Sequence, residues 1–296
     1  MSIIFLFLDG VGLADGGLAN PFSELPTEEL RRLLGGPLTS DSIQYSEQLL
    51  LQPIDANLGV AGLPQSGTGH VALLAGVNAP LLHGRHQTGF PPVALRPLLA
   101  ERSLFRQARE RGYQVAFANV FTEGYWQALA DRRLRRSASV IAAEGAGLRL
   151  RDLDDLRAGQ ALMWDITGDA LHSRGEGLDI APINPALAGA NLARLATDHE
   201  LIFFECFMLD LVAHGRLNID SSTAIARVDG LVGGVLRTMR PQDSLLITSD
   251  HGNIEDRVAP AHTRNPVPLL VVGPAAPGFR AVTTIAEVAG AILATL

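Results

Sequence analysis

Short apolar runs recur along the chain, and stretches with a helical pattern lie between them. Short runs in which most positions are apolar are typical of parallel-sheet strands that helices cover on both faces. Five such runs predict strands, at residues 3–8, 114–120, 201–207, 244–248 and 268–272. We therefore expect a mostly parallel central sheet.

The segments between the strands favour helices. Ile225, Val228 and Val232 recur at the spacing of one helix face and predict a helix over residues 220–239. Helical patterns also cover residues 103–111 and residues 285–296. Gly112 is suited to end the first of these helices. The alternation of strands and helices predicts an α/β fold with helices on both faces of the sheet.

The stretch from residue 121 to residue 197 has a different character. It contains an arginine cluster at residues 132–136, and Gly and Pro residues interrupt any long apolar pattern. We predict that it forms a small insertion or cap over one end of the sheet. The predicted metal-binding core then consists of residues 1–120 and 198–296.

Composition narrows the range of possible functions. All 24 basic residues are arginine, so the chain has no lysine for a pyridoxal phosphate Schiff base or a Walker A loop. The one cysteine, Cys206, excludes a disulfide framework and a cysteine-built zinc site. The net charge of −7 does not favour binding to nucleic acid. The excess of acidic residues is more compatible with binding of metal ions or small ligands.

The apolar segments do not indicate a membrane protein. The run at residues 3–8 is too short for a signal peptide and has no basic flank. Every other apolar run falls short of the ~20 residues that a membrane helix needs. We expect a cytoplasmic protein with no membrane partner, and the sequence leaves its oligomeric state open.

Three aspartates follow three of the predicted strands. Asp9 follows the first strand, Asp210 the strand at 201–207, and Asp250 the strand at 244–248. Ligands of open α/β sheets bind where the carboxyl ends of the strands meet. Carboxylates that lie close together repel one another unless cations neutralise them. The three aspartates therefore predict a metal centre.

Histidines accompany these aspartates. His214 lies four residues after Asp210, on the same side of a helical turn, and His251 follows Asp250 directly. His262 lies in a proline-rich loop before the last strand. Three aspartates and three histidines form a nitrogen and oxygen ligand set, which suits Zn²⁺ or Mn²⁺ better than Ca²⁺ or Mg²⁺.

Ser66 is the candidate nucleophile. It lies between Pro64 and the apolar helical run at residues 71–77, near a helix N-terminus that favours anions. A serine that touches a metal has a lowered hydroxyl pKa and can attack phosphorus. The competing interpretation of Ser66 is a helix N-cap, and the two roles are compatible.

The five motifs occur together and in order: LDGVG at residues 8–12, S-x-x-G-H at 66–70, D-x-x-x-H at 210–214, DHGN at 250–253 and H-T-x-N-P-V-P at 262–268. With them the chain resembles the alkaline phosphatase superfamily. It is most similar to the metalloenzyme branch of cofactor-independent phosphoglycerate mutase and phosphopentomutase, whose GFP motif matches residues 89–91. The resemblance implies a three-layer sandwich with a small inserted cap.

The resemblance also implies two divalent metal ions and their ligands. Asp210, His214 and His262 would hold one ion. Asp9, Asp250 and His251 would hold the other, with Ser66 beside them as the residue that is phosphorylated in turnover. His70 would support these ligands rather than bind metal itself.

The leading interpretation is a two-metal phosphohydrolase that acts on a small phosphorylated substrate, most simply a monoester, through a phosphoserine at Ser66. The alternatives are a phosphodiesterase, a phosphomutase on a sugar phosphate or phosphoglycerate, and a non-catalytic metal-binding module. Phosphoglycerate mutases of the family carry a larger inserted domain and use a lysine. A mutase would therefore need Arg85, Arg174 or the 132–136 cluster instead. Arg85 and His86 are candidate substrate-binding residues.

Overall fold

The predicted strands belong to one mixed sheet. The computed structural model describes residues 1–259 and 261–296. Over this part of the chain the sheet has seven strands in the order β2-β3-β7-β6-β1-β5-β4. They are β1 (Ile3–Leu8), β2 (Gln44–Tyr45), β3 (Leu49–Ile54), β4 (Val115–Phe117), β5 (Leu201–Cys206), β6 (Ser244–Thr248) and β7 (Val267–Val272).

Strand direction divides the sheet into two parts. β1 lies between β5 and β6 and is parallel to both, and β4 is parallel to β5. β7 is antiparallel to β6 and to β3, and β2 is antiparallel to β3. The expectation of a mostly parallel sheet thus holds for β4, β5, β1 and β6, and the strand predicted at 268–272 runs in the opposite direction.

The observed sheet differs from the predicted one in two details. The strand predicted at 114–120 is paired in the ladder only over Val115–Phe117, because Asn119 and Val120 turn away to form isolated bridges with Leu162 and Arg151. The hairpin of β2 and β3 was not predicted. β3 contains Pro53, which cannot donate to a ladder, and a proline argues against a sheet strand when only the sequence is read.

Helices surround the sheet. In chain order they are α1 (Pro21–Glu24), α2 (Glu28–Leu34), α3 (Ser66–Ala75), α4 (Ala79–His83), α5 (Arg96–Arg102), α6 (Leu104–Glu110), α7 (Glu123–Ala130), α8 (Ala138–Gly145), α9 (Leu153–Arg157), α10 (Asp169–His172), α11 (Pro185–Arg194), α12 (Met208–Ala213), α13 (Ser221–Thr238) and α14 (Val288–Thr295). Short 3₁₀ helices cover Ser40–Ser42, Val93–Leu95, Leu195–Thr197, Ala276–Phe279 and Ile285–Glu287. The predicted helices at 103–111, 220–239 and 285–296 correspond to α6, α13 and the last 3₁₀ helix with α14.

The two faces of the sheet support two separate hydrophobic clusters. Successive side chains of a strand point to opposite faces, so Phe5 and Phe7 of β1 face one way and Leu6 and Leu8 the other. The first face packs against buried residues of α3, α5, α6, α8 and α14. The second packs against α2, α11 and α13. The molecule is therefore a three-layer α/β sandwich, as predicted.

The region predicted as a cap is divided between these layers. α8 contributes Val140 and Ala142 to the cluster on the first face, and α11 contributes Leu192 to the cluster on the second. A third, smaller cluster contains Val120, Leu156, Ala161, Met163 and Leu171. The predicted boundaries of 121–197 therefore include two helices of the sandwich itself, and residues 121–137 and 146–184 are what is left to form a cap.

No helix in the described ranges combines the length and the apolar character that would let it cross a membrane.

Candidate metal centre and active site

The three predicted aspartates lie at one edge of the sheet. Asp9 follows β1 directly, and its N–H donates to Cys206 O at the end of β5 (3.0 Å). Asp210 lies in α12, which follows β5, and Asp250 lies two residues after β6. Because β5, β1 and β6 are parallel neighbours, their carboxyl ends bring the three carboxylates together. All three are buried.

The antiparallel direction of β7 brings His262 to the same edge. A strand that runs against its neighbours begins where they end, so the loop before Val267 lies beside the carboxyl ends of β1 and β6. β3 has the same direction as β1, and the segment after Ile54 leads to Ser66, the first residue of α3. His262 and Ser66, which were both expected at the site, therefore lie there because of the directions of β7 and β3.

Two glycines allow the close approach of these segments. A Cβ atom on Gly69 of α3 would lie 2.8 Å from Asp250 Cβ, and one on Gly10 would lie 2.8 Å from Asp210 Cβ. Gly10 also has a φ of +75°, which side chains other than glycine rarely adopt. Glycine at these positions lets α3 and the loop after β1 contact the aspartates.

Asp9, His70 and Asp250 form the deeper part of the site. His70 Nε2 lies 3.2 Å from Asp250 Oδ2 and 3.5 Å from Asp9 Oδ2. One ligand atom from each of the three residues falls within 4.8 Å of the other two. Among the residues that the structure describes, Asp9 Oδ1 and both oxygens of Asp250 are buried without a hydrogen-bond partner.

His251 joins this part of the site to Ser66. Its Nε2 atom lies 3.0 Å from Ser66 Oγ, 3.3 Å from Asp9 Oδ1 and 3.4 Å from Asp250 Oδ2. The ring of His251 stacks on that of His262 with 3.7 Å between the centroids. Ser66 begins a helix of ten residues, so its hydroxyl lies where the first N–H groups have no intrahelical partner.

Asp210, His214 and His262 form the outer part. Nε2 of His214 and Nε2 of His262 face each other at 3.0 Å, and they lie 3.4 Å and 3.5 Å from Asp210 Oδ1. His262 Nδ1 lies 2.9 Å from Pro64 O and is oriented to donate to it. A histidine whose Nδ1–H binds a backbone carbonyl presents the lone pair of Nε2, as metal-binding histidines do.

The structure brings all six predicted ligands and Ser66 together, but it groups them differently from the expectation. Asp210, His251 and His262 form one compact group of possible ligands, and Asp9, His70 and Asp250 form the other. His251 was expected with Asp9 and Asp250, and it lies between the two groups. His70 was expected only to support the ligands, and its ring nitrogen lies as close to the carboxylates as that of His251.

The residues fit divalent cations. Buried carboxylate oxygens without hydrogen bonds carry a large desolvation cost, which cations would offset. Imidazole nitrogens that face one another across 3.0 Å need either a proton or an ion between them. Nitrogen and oxygen donors of this kind suit Zn²⁺ or Mn²⁺, and the donor set does not choose between them.

The pKa values of these groups follow from burial and from mutual contact. Burial opposes ionisation of Asp9, but His251 and His70 outweigh it and hold the pKa of the carboxyl below its usual range. Burial likewise opposes protonation of His251, but Asp250 and Asp9 raise its pKa to about 9. Protons on the imidazoles and divalent cations therefore compete for the same carboxylates.

Two residues that the sequence analysis did not single out fix the loops of the site. Asn253 Nδ2 donates to Asp210 Oδ1 at 2.7 Å and so orients that carboxylate. Glu255 accepts from the backbone N–H of Gly12 (2.9 Å) and of Asn253 (2.7 Å), and also from the hydroxyl of Thr263. Glu255 thus connects the loop after β1, the loop after β6 and the loop before β7.

Glu205 is a further buried carboxylate, and it lies on the wall of the site cavity. Its Oε1 atom accepts from Ser139 Oγ at 2.6 Å, and its Oε2 atom has no hydrogen-bond partner among the described residues. Burial raises the pKa of Glu205 to about 7. A charged residue inside the otherwise apolar run at 201–207 was the sequence signal for it.

A cavity of about 530 Å³ opens over Ser66 and His262. Side chains of the predicted cap line one side of it, among them Phe121, Tyr125, Met163 and Trp164. Its arginines are Arg135, Arg174 and Arg216. Arg85 and His86, the predicted substrate-binding residues, are not among the described residues that line it. Arg85 is exposed, and His86 Nε2 lies 3.3 Å from Val60 O.

Parts of this chain are similar to known proteins. A family model described as Metalloenzyme superfamily matches residues 184–296, which include Asp210, His214, Asp250, His251 and His262. The 2,3-bisphosphoglycerate-independent phosphoglycerate mutase of Syntrophotalea carbinolica is 38% identical over 104 residues, 32% of this chain and 20% of that protein. The phosphopentomutase of Allorhizobium ampelinum is 33% identical over 118 residues, 38% of this chain and 28% of that protein. The matches thus span a fifth to about a quarter of these relatives.

Solved structures share the fold over nearly the whole chain. The alkaline phosphatase from the Antarctic bacterium TAB5 is 14% identical, with a TM-score of 0.55 over 99% of this chain and 97% of that one. The PH0037 protein from Pyrococcus horikoshii is 13% identical, with a TM-score of 0.51 over 92% of this chain and 86% of that one. Over residues 184–296 the chain is thus similar to the Metalloenzyme superfamily, and its fold is similar to that of the TAB5 alkaline phosphatase.

Proposed function

We propose that the protein is a metal-dependent phosphohydrolase that cleaves phosphomonoesters through a phosphoserine at Ser66. The observation that carries the proposal is the position of Ser66 Oγ, 3.0 Å from His251 Nε2 and beside the buried carboxylates of Asp9 and Asp250. The hydroxyl is also at the N-terminus of α3, where N–H groups favour the oxygens of a phosphate.

Two divalent ions are proposed at this site. Asp210, His214 and His262 would hold one, and Asp9, Asp250 and His251 would hold the other, with Ser66 Oγ beside it. His251 lies close enough to both groups to contact either ion. Such ions would lower the pKa of the serine hydroxyl and offset the charge that develops on the phosphoryl oxygens.

The chain's own residues orient and shield the reaction. Ser66 Oγ forms the bond to phosphorus as the bond from phosphorus to the leaving-group oxygen breaks. Water then cleaves the phosphoserine, which releases phosphate and restores the hydroxyl of Ser66. His251 and the start of α3 hold Ser66 Oγ in position. The aromatic side chains on the cap side of the cavity limit the access of bulk water.

A phosphomutase is the second candidate, because the curated relatives include phosphoglycerate mutases and a phosphopentomutase. A mutase returns the phosphoryl group from serine to another position of the same substrate, so it must exclude water more completely. The chain contains no lysine and spans only part of those relatives. Hydrolysis is the simpler outcome at a site with these residues.

The test is turnover of p-nitrophenyl phosphate and bis-p-nitrophenyl phosphate by protein that has been stripped of metal and reloaded with Zn²⁺ or Mn²⁺. We expect metal-dependent release, faster from the monoester, and acid-stable labelling of Ser66 by a ³²P-labelled substrate. Ser66→Ala should abolish turnover and labelling and retain the fold and most of the metal. Ser222→Ala, which changes an exposed serine of α13 outside the cavity, is the matched control.

Several outcomes would contradict the proposal. Turnover by Ser66→Ala would exclude the covalent step. Movement of label from one position of a sugar phosphate or phosphoglycerate to another, without release of phosphate, would establish the mutase. A protein that holds two ions and neither turns over nor becomes labelled with any of these substrates would be a metal-binding module.

A further inference from the structure

Three arginines line the site cavity, and none of them has an acidic partner in the described part of the chain. They are Arg135, Arg174 and Arg216, and all three are exposed. Other arginines of the same region do have partners: Arg133 pairs with Asp131 (2.9 Å), and Arg136 pairs with Glu144 (2.8 Å). The guanidinium groups on the cavity therefore remain available to an anionic ligand.

Local contacts fix the backbone at these arginines. Glu176, two residues after Arg174, accepts from Thr122 Oγ1 at 3.0 Å and from Gly124 N at 2.9 Å, which holds the turn after α10 against the start of α7. Arg216 N donates to Leu211 O at 2.8 Å at the end of α12. The arginines thus approach the cavity from three separate segments of the chain.

Arg135 is held by its neighbours in the same way. The N–H groups of Arg133 and Leu134 both donate to Ala128 O, at 2.9 Å and 3.0 Å. The ion pairs of Arg133 and Arg136 point those two side chains away to their own carboxylates. Within this arginine cluster, Arg135 is the member that lines the cavity.

The rest of the wall is largely apolar and aromatic. Phe121, Met163, Trp164 and Phe207 line it together with Tyr125, whose ring centroid lies 4.9 Å from that of Phe121. Tyr125 Oη is buried and has no hydrogen-bond partner among the described residues. A volume of about 530 Å³ holds much more than one phosphoryl group.

We infer that the cavity binds phosphomonoesters that carry both a flat ring system and a second anionic group, with Arg135, Arg174 and Arg216 as the site of that second anion. This inference rests on the proposed reaction at Ser66. The metal centre would bind the phosphoryl group that reacts. Binding of that group therefore does not explain why three arginine side chains line the cavity. Arginine binds phosphate and carboxylate through a planar pair of donors. Aromatic walls select a flat, apolar body.

Four substrates test the two features of the ligand separately. Adenosine 3′,5′-bisphosphate has the ring and the second anion, adenosine 5′-monophosphate has the ring alone, 3-phosphoglycerate has the second anion alone, and glycerol 2-phosphate has neither. We expect kcat/KM of the metal-loaded protein to be highest for the bisphosphate and lowest for glycerol 2-phosphate. A preference for phosphoglycerate over both nucleotides would overturn the ring part of the inference.

Variants of the three arginines identify the anion site. Arg135→Ala, Arg174→Ala and Arg216→Ala should each lower the ratio of kcat/KM for the bisphosphate to that for the monophosphate by about 10–100-fold, the cost of one charge-assisted hydrogen bond. Arg102→Ala, an exposed arginine at the end of α5, should leave the ratio unchanged. An unchanged ratio in all three cavity variants would overturn the anion site.

Binding without turnover separates this inference from the proposed reaction. Titration calorimetry of adenosine 3′,5′-bisphosphate with metal-loaded Ser66→Ala measures the subsite whether or not Ser66 reacts. Binding that weakens in the arginine variants supports the subsite even if hydrolysis is absent. Turnover of p-nitrophenyl phosphate by the wild-type protein, with no binding of the bisphosphate, would leave the reaction intact and overturn the subsite.

Discussion

Asp250 determines much of the chemistry at the scale of single residues. It is fully buried, and imidazole nitrogens of His70 and His251 lie 3.2 Å and 3.4 Å from its Oδ2 atom. A carboxylate in such a position interacts strongly with whichever cation is present, whether an imidazolium or a metal ion. Substitutions of His70 and of Asp250 should therefore differ in how strongly they lower the affinity for a metal ion.

We expect Asp250→Asn to lose one ion, because an amide is neutral and a poorer ligand. His70→Gln should retain that ion and bind it about 10–100-fold more weakly, the usual cost of removing a group that orients a ligand. Equilibrium dialysis with Zn²⁺ and Mn²⁺ measures both variants. Complete loss of the ion in His70→Gln would show that His70 is itself a ligand.

Glu205 predicts a pH dependence of stability. Its pKa is raised from 4.5 to about 7 in the folded protein, which therefore holds this proton more tightly than the unfolded chain. The resulting stabilisation is complete below pH 4.5 and is lost as the pH rises through about 7. Glu205→Gln keeps the side chain neutral, so we expect it to gain up to about 3 kcal/mol on the wild type between pH 5 and pH 8.

Urea unfolding of both proteins at the two pH values, in the presence of a chelator, measures the change in the free energy of unfolding. The comparison of two proteins removes the contributions of the metal ligands, which titrate in both. A difference between variant and wild type that stays constant from pH 5 to pH 8 would mean that Glu205 is already ionised throughout the range.

At the scale of elements, the position of α3 depends on a contact that only glycine permits. α3 carries Ser66 at its first residue and His70 one turn later, and Gly69 between them faces Asp250. A methyl group at residue 69 would have to displace either the helix or the loop after β6. The nucleophile and the carboxylates would then move apart.

Gly69→Ala should therefore destabilise the protein by about 1–3 kcal/mol, the usual cost of overpacking a buried contact, and should weaken metal binding as well. Gly290→Ala is the matched control, because Gly290 lies exposed in α14 and a Cβ atom there meets no other atom within 4 Å. We expect this change to stabilise the protein by about 0.5–1 kcal/mol. Denaturant unfolding and metal titration measure both. Equal effects of the two substitutions would exclude the steric explanation.

The sequence predicted the elements of the site where strand ends could be recognised. Asp9 and Asp250 follow largely apolar runs, so their edge of the sheet was predictable. The groups that each imidazole contacts were not predictable, because the direction of a side chain depends on the tilt of α3 and on the loop before β7. The antiparallel direction of β7 was also hidden, since its fully apolar pattern is typical of a parallel strand.

At the scale of the whole molecule, metal binding and folding are linked. The six candidate ligands come from both halves of the chain, and the unfolded chain would hold them far apart. An ion that binds only the folded protein raises its stability by about 3–4 kcal/mol at 100 to 1,000 times its dissociation constant. The ions should therefore act as long-range cross-links.

Addition of Zn²⁺ or Mn²⁺ to stripped protein should raise the midpoint of thermal unfolding by roughly 5–15 °C at such concentrations. Differential scanning calorimetry with increasing metal measures the shift. A variant with both Asp210→Asn and Asp250→Asn should lose most of it. An equal shift in this variant would mean that the ions stabilise the protein from another site.

At this scale, the sequence did not predict which parts of the region 121–197 belong to the sandwich. Its glycines, prolines and arginines indicated a separate insertion, yet α8 and α11 complete the two helical layers. α8 is short and rich in alanine, so its apolar face gives a weak periodic signal. Which parts of a chain cover a sheet depends on contacts between residues far apart, such as those of α11 with α13, and local composition does not record them.

The place of β7 in the sheet affects how the protein can be synthesised. β7 is the strand that joins the β2 and β3 hairpin to β6, and it also follows His262. β3 ends at Ile54 and β7 begins at Val267, so translation at about 5–20 residues per second leaves roughly 10–40 s between them. During that interval β3 lacks its partner strand β7, and the metal centre is incomplete until His262 has been added. The ladder between β3 and β7 and the metal centre can therefore be completed only after Val272 has been synthesised.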